Sequence, residues 1–359
     1  MSQVTTSSFQ NSTVPPAIYG GEGTYVVDIS GACYIDCTGA APAGHNHPTV
    51  VAAPMSTSPA HLSARSLAHL NLPTGWRHLL FDSGDHAIDA AATMTARATG
   101  CGEIVLLTTG PQGHLHVALS TTGLPDFRTS PTPVECVHHV RFGDAAALSD
   151  LLRRRAGYVA AVIAEPIATA DVTVPTSNYW QLVRQMTEDQ DVLLVFDESN
   201  TGFCRTGRWF AGEQWPVTPD AIVLGSALAN GLPIGVLLCS ERFSQDCAGE
   251  APNSAALAAA EAMIALVSEP AFVSRVQEVG RRLLATLQRL ADRRPNVSRA
   301  RGAGLLLAVD APRHEYLLDA LRDHGLLATM TGDTLVIRPP LTLNDAEAAQ
   351  IADALYACL

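Results

Sequence analysis

The sequence predicts an α/β chain, a large domain on a mostly parallel sheet of about seven strands followed by a smaller α+β domain. Three observations carry this. Short apolar runs alternate with helical patterns as far as residue 240 or so. Runs such as Val192–Phe196 are apolar at every position, which a strand covered by helices on both faces requires. Beyond Cys247 the pattern turns to long helical stretches with fewer strands between them. The division expected is 1–39 as an N-terminal arm and small-domain segment, 40–246 as the large α/β domain and 247–359 as the C-terminal α+β domain.

Residues 1–17 are polar, aperiodic and contain Pro15-Pro16, and read as an arm. The strands expected next are His78–Asp82, Glu103–Thr108, Val134–Val140, Val159–Ala164, Val192–Phe196, Ala221–Leu224 and Ile234–Cys239. Between them lie helices such as Ala87–Thr99, closed by Gly100, and Ser177–Glu188. The last third reads as helices Ala255–Val267 and Phe272–Arg293, strand Gly304–Val309, helix Glu315–His324, strands Leu326–Met330 and Thr334–Arg338, and helix Asp345–Leu359.

Composition excludes several classes. With 23 basic against 35 acidic residues the net charge is −12, so a nucleic-acid or anionic-membrane footprint is not expected. No apolar stretch is long enough to span a bilayer, and residues 1–16 lack the layout of a signal peptide, so a cytoplasmic protein is expected. The eight scattered cysteines form no disulfide framework and read as reduced core thiols. All 23 basic residues are arginine. Average usage would supply roughly 20 lysines in a chain of this length, and without one no side-chain Schiff base forms with an aldehyde.

The stretch Val192–Gly235 reads VLLVFDESNTGFCRTGRWFAGEQWPVTPDAIVLGSALANGLPIG. With GHNHP at Gly44–Pro48, SG and an alanine-rich helix at Ser83–Ala98, AEP at Ala164–Pro166, RGAGL at Arg301–Leu305 and RPPLT at Arg338–Thr342, it resembles the class III (ornithine/4-aminobutyrate-type) aminotransferases. These motifs stand in the family's order along nearly the whole chain. The resemblance implies the fold-type I architecture, a pyridoxal phosphate site and a dimer with active sites at its interface.

Against that pattern the cofactor contacts depart one by one. Ser226 stands where the family carries its Schiff-base lysine. Asp85 and His86 replace a small residue and a glutamate after the Ser83-Gly84 pair, where a helix start would hold the cofactor phosphate. Gln112 replaces the ring-stacking aromatic, and Gly249 replaces a threonine donor. Asp197, which in the family pairs with the pyridine nitrogen, is retained. The segments Pro48 to Gly84 and Leu115 to Glu165 are shorter than the family's.

These departures lead to the expectation of no cofactor and of lost transamination. In its place stands acid/base chemistry (cyclisation, dehydration or hydrolysis) on a small biosynthetic intermediate; a noncatalytic partner of an active aminotransferase and a noncovalent pyridoxamine-phosphate enzyme are the alternatives. The candidate catalytic residues are Asp197, His86, Ser226 and Glu198, and the candidate substrate-binding residues Asp85, Gln112, His114, Glu165, Asn200 and Arg338. Each has a plainer reading: Asp197 as a relic held by hydrogen bonds, His86 as a solvated or capping residue, Ser226 as filler of the lysine channel, Glu198 as structural. Arg205 is expected in the fold's ion-pair network. His114-x-His116 and His138-His139 lack a carboxylate at ligand spacing, so no metal is expected. The partners expected are a small-molecule substrate and a second copy of the chain, or an active aminotransferase in a heterodimer.

Overall fold

A computed structural model describes residues 16–53, 62–109, 136–243, 249, 252–295, 297–311 and 316–359. The central sheet holds seven strands: β4 (Arg77–Phe81), β5 (Glu103–Thr108), β6 (Cys136–Arg141), β7 (Val159–Ala164), β8 (Leu193–Asp197), β9 (Ala221–Leu224) and β10 (Gly235–Cys239). Their order is β4-β10-β9-β8-β7-β5-β6. β5 to β9 run parallel to one another, and β10 is antiparallel to both of its neighbours. Each expected strand is present, three at the expected bounds and four with ends displaced by a residue or two. Every residue of β7, β8, β9 and β10 is buried, which is why their sequences are unbroken apolar runs.

Helix α3 (Gly84–Thr99) packs its alanine-rich surface on β10, β7 and β9. It begins three residues before the first expected position because Ser83 caps it, the hydroxyl accepting the His86 amide at 3.2 Å, and it ends at Gly100 in the left-handed conformation. Two shorter helices, α1 (Pro48–Val51) and α2 (Ala64–His69), precede it. On the other face, α4 (Ala145–Arg154) and α5 (Tyr179–Asp189) cover a cluster in which Trp180 meets Phe196 edge-on at 4.6 Å.

The arm expectation for residues 1–17 falls mostly outside the described residues, and three unexpected strands follow it: β1 (Ile18–Glu22), β2 (Tyr25–Asp28) and β3 (Cys33–Asp36). The strand expected at Leu326–Met330 divides: β13 (Leu326–Leu327) runs parallel to β3, whereas β14 (Thr329–Thr331) belongs to a third sheet with β11 (Arg299–Ala303), β12 (Leu306–Asp310) and β15 (Thr334–Ile337). Helices α6 (Ser254–Val267), α7 (Phe272–Arg293), α8 (Leu317–Asp323) and α9 (Asp345–Cys358) complete the chain, α9 opening on a capping box between Asn344 and Glu347. Among the described residues no single helix is long and apolar enough to cross a membrane. Cys37, Cys204 and Cys239 are core thiols, but Cys33 and Cys136 are exposed, so the expectation of core thiols holds only in part.

Candidate active site

The site forms at the carboxyl edge of the central sheet, where open α/β folds bind ligands. Three segments converge there through glycine. A Cβ on Gly235 would lie 1.9 Å from the Ser83 carbonyl oxygen, so β10 can start against the cap of α3 only without a side chain. A Cβ on Gly84 would lie 3.3 Å from Gly225 Cα and from Ser199 Oγ, and one on Gly225 3.0 Å from Ser199 Cβ. The start of α3 is thereby held close to the turn that follows β9, with the Ser199 side chain of the turn after β8 packed against both.

Asp197 ends β8 and is fully buried, with Oδ1 accepting the Ser199 amide at 2.9 Å. Ser199 Oγ is buried and has no hydrogen-bond partner among the described residues. Glu165, just beyond β7, accepts the amide and hydroxyl of Thr169 at 2.7 and 2.6 Å, and Asn200 Nδ2 approaches it at 3.4 Å. Burial and then the nearby Asp197 charge push the Glu165 carboxyl up to about 7. The Glu165 charge in turn acts on Arg338, whose guanidinium burial holds below its ordinary basicity. Arg338 Nε is buried without a hydrogen-bond partner among the described residues, where it also makes no ion pair. Asp197, Glu165, Asn200 and Arg338 are thus brought together.

Glu198 points elsewhere. It accepts Thr201 Oγ1 at 2.7 Å and the amides of Ala211 and Gly212 at 2.9 and 2.8 Å, so both oxygens are occupied in holding a turn. Burial pushes it up to about 7 against the pull of those donors. His86 Nδ1 pairs with the exposed carboxylate of Asp82, one helical turn earlier. Asp85 is partly exposed in the first turn of α3. Ser226 is exposed at the start of the short 3₁₀ helix Ser226–Ala229 after β9. Gln112 and His114 lie outside the described residues. Gly249 packs on β4, where a Cβ would lie 2.6 Å from the Leu80 carbonyl oxygen.

Sequence reasoning missed three contributors. Asp82 was findable from its spacing to His86. Ser199 gave no signal beyond its nearness to Asp197. Asn230, left-handed at φ 53°, accepts the Ala43 amide at 2.7 Å and donates to the Gly44 carbonyl at 3.0 Å, tying the loop after β9 to the GHNHP segment. Arg205 differs from expectation: it makes no ion pair among the described residues and instead donates to the carbonyls of Leu305 and Pro339, which fixes the backbone beside Arg338. Burial, and then the charge of Arg338, bring it down to about 9.

Residues 7–359 match the family model described as aminotransferase class-III. The chain belongs to that family. This class III aminotransferase is 30% identical to the acetylornithine aminotransferase of Methanosarcina mazei over 365 residues, covering 95% of this chain and 91% of the relative. It is 32% identical over 376 residues to the acetylornithine aminotransferase of Mycobacterium tuberculosis, covering 97% and 92%. Its fold superposes on the ornithine aminotransferase of Toxoplasma gondii with a TM-score of 0.82 at 25% identity, over 97% of this chain and 91% of that one.

These relatives overturn the expectation of an aminotransferase fold that had lost transamination, became a cofactor-independent lyase, cyclase or hydrolase, or served as a noncatalytic partner. They are aminotransferases along nearly the whole chain, of a superfamily that works with pyridoxal phosphate, so the expectation of no cofactor is corrected with it. The physical reason is that a missing lysine removes a bond to the cofactor and leaves the noncovalent site to be judged by itself. Of the other contacts counted as lost, the stacking position Gln112 lies outside the described residues. The residues present fit the cofactor at two places, the buried Asp197 carboxylate and the glycine-built start of α3 beside the unpartnered Ser199 hydroxyl. They do not fit its covalent attachment, since the chain contains no lysine.

Proposed function

We propose that this class III aminotransferase transfers an amino group between an amino acid and a 2-oxo acid, with pyridoxal phosphate as its cofactor. The observation that carries the reading is the fully buried Asp197 carboxyl at the end of β8, an acceptor suited to hold a protonated pyridine nitrogen. The first-turn amides of α3 would take the phosphate, with Ser83 and Ser199 beside them. A cofactor held there would supply the carrier for the amino group between the two substrates.

The chain's own residues supply the rest. Arg338, a largely buried cation whose Nε has no hydrogen-bond partner among the described residues, is suited to hold a substrate carboxylate through its guanidinium. Arg205 keeps it in place through the Pro339 carbonyl. Glu165, with its carboxyl near 7, takes or releases a proton at Oε1 or Oε2 near neutral pH and so adjusts the charge beside Asp197. Substrates of the acetylornithine or ornithine type come first to trial, since the relatives carry those names.

The test is transfer from acetylornithine or ornithine to a 2-oxo acid with cofactor in excess, product read by mass spectrometry. Arg338→Met should raise KM for the carboxylate substrate by about tenfold or more, the worth of one charged hydrogen bond, and Asp197→Ala should weaken cofactor binding similarly. Absence of cofactor binding and of transfer at millimolar cofactor would sink the proposal.

A further inference from the structure

Ser226 lies three residues beyond Val223, the β9 residue that pairs with Asp197, and therefore at the same edge of the sheet as the ring-nitrogen partner. Its turn is fixed: the Ser226 carbonyl accepts the Gly231 amide at 2.8 Å, and Asn230 clamps the loop to Ala43 and Gly44. The side chain is exposed, so the position is not filled by core packing. Neither this position nor any other in the chain offers a lysine amine. The noncovalent hold is itself moderated, because Asp85 places a carboxylate in the α3 turn whose amides would meet the phosphate.

We propose that pyridoxal phosphate is held in this site with no covalent bond to the chain, as an exchanging ligand, and that position 226 faces the vacated attachment point. The inference rests on the cofactor reading above. Three consequences follow. Occupancy tracks the free cofactor concentration. The aminated cofactor is as free to leave as the aldehyde. A lysine placed at 226 should recover the bond, its amine condensing with the cofactor aldehyde and releasing one water.

The experiment compares the wild-type chain, Ser226→Ala and Ser226→Lys, each loaded with pyridoxal phosphate, in three measurements. Saturable change in cofactor absorbance reports binding, and its absence in all three chains refutes the function proposed above and this inference with it. Borohydride reduction followed by denaturing mass spectrometry reports the bond. Wild type and Ser226→Ala should remain at chain mass, and Ser226→Lys should gain one reduced cofactor mapped to residue 226. Rapid desalting reports exchange: wild type should lose its cofactor and Ser226→Lys should keep most of it. A reducible adduct anywhere on the wild-type chain, with binding intact, overturns the inference and leaves the proposed function standing. Binding without an adduct in Ser226→Lys overturns the placement of residue 226. Should Ser226→Lys fail to fold, the wild-type reduction still decides the central point.

Discussion

Gly235→Ala is the sharpest single perturbation of this site. The added Cβ would lie 1.9 Å from the Ser83 carbonyl oxygen, 2.6 Å from its carbon and 3.0 Å from Ala87 Cβ. Contacts under 3.0 Å are essentially never seen, so β10 and the start of α3 must separate by more than 1 Å. Both are backbone, and neither can swing aside like a flexible side chain. Ser83 also caps α3 through the His86 amide, and its carbonyl accepts the Ala87 amide at 3.2 Å, so the shift loosens the first turn. Overpacking of a rigid core costs about 1–3 kcal/mol and sometimes more, and a lost cap adds about 1 kcal/mol. The expected result is a fall of several degrees in Tm and cofactor affinity weakened by about tenfold. Gly20→Ala, with nothing within 4 Å of its added Cβ, is the control. Thermal unfolding and absorbance titration are the assays. Tm and affinity both matching Gly20→Ala would refute the claim that this glycine contact builds the site.

Glu198 should make the chain more stable at pH 5 than at pH 8. Its folded carboxyl is raised to about 7 from 4.5, so the folded state holds its proton more tightly and this contribution is lost as pH rises through that window, on the order of 3 kcal/mol in all. Glu103 and Asp28, held down to about 2, act only at lower pH. Urea unfolding of wild type and Glu198→Gln at both pH values checks this, and an unchanged difference between them would count against it. Asp85→Asn should tighten cofactor binding by about threefold to tenfold, because a like charge leaves the phosphate turn; equal or weaker binding in an absorbance titration would remove Asp85 from that role. Asn230→Ala should lower Tm and cofactor affinity together, since it loses both clamps to Ala43 and Gly44 and must keep a left-handed φ, whereas Asn230→Gly should recover only the conformational part.

The central sheet was legible because burial on both faces writes a continuous apolar run into each strand. Strands β1 to β3 were not, because only four of their thirteen residues are buried, and the partner that completes their sheet, β13, lies near the other end of the chain. The split of Leu326–Met330 had no local signal either, since only the positions of β3 and β15 decide where each half pairs. Within the site, Asp197, Glu165 and Asn200 end or follow strands of the central sheet, whereas Arg338 follows β15 of the third sheet and was singled out only by the RPPLT resemblance. Glu198 was readable as different: neighbours along a strand point to opposite faces, and with Asp197 on the cleft side, Glu198 turns to the amides of Ala211 and Gly212.

The function was misjudged because the departures at Ser226, Asp85, Gln112 and Gly249 were counted together as loss of the cofactor site, against a single retained contact at Asp197. A Schiff base contributes attachment; occupancy also depends on contacts that persist without it. A charged hydrogen bond such as one to Asp197 supplies about 1.5–3 kcal/mol, and micromolar binding corresponds to about 8 kcal/mol. Ring burial and the α3 amides therefore have to supply most of the remainder, and these depend on Gly84, Gly225 and Gly235 lying close together, with Ser199 between two of them. Those glycine contacts are intact. An alanine at Gly235 would break that approach, so the α3 end of the site rests on backbone that leaves no room for a side chain there.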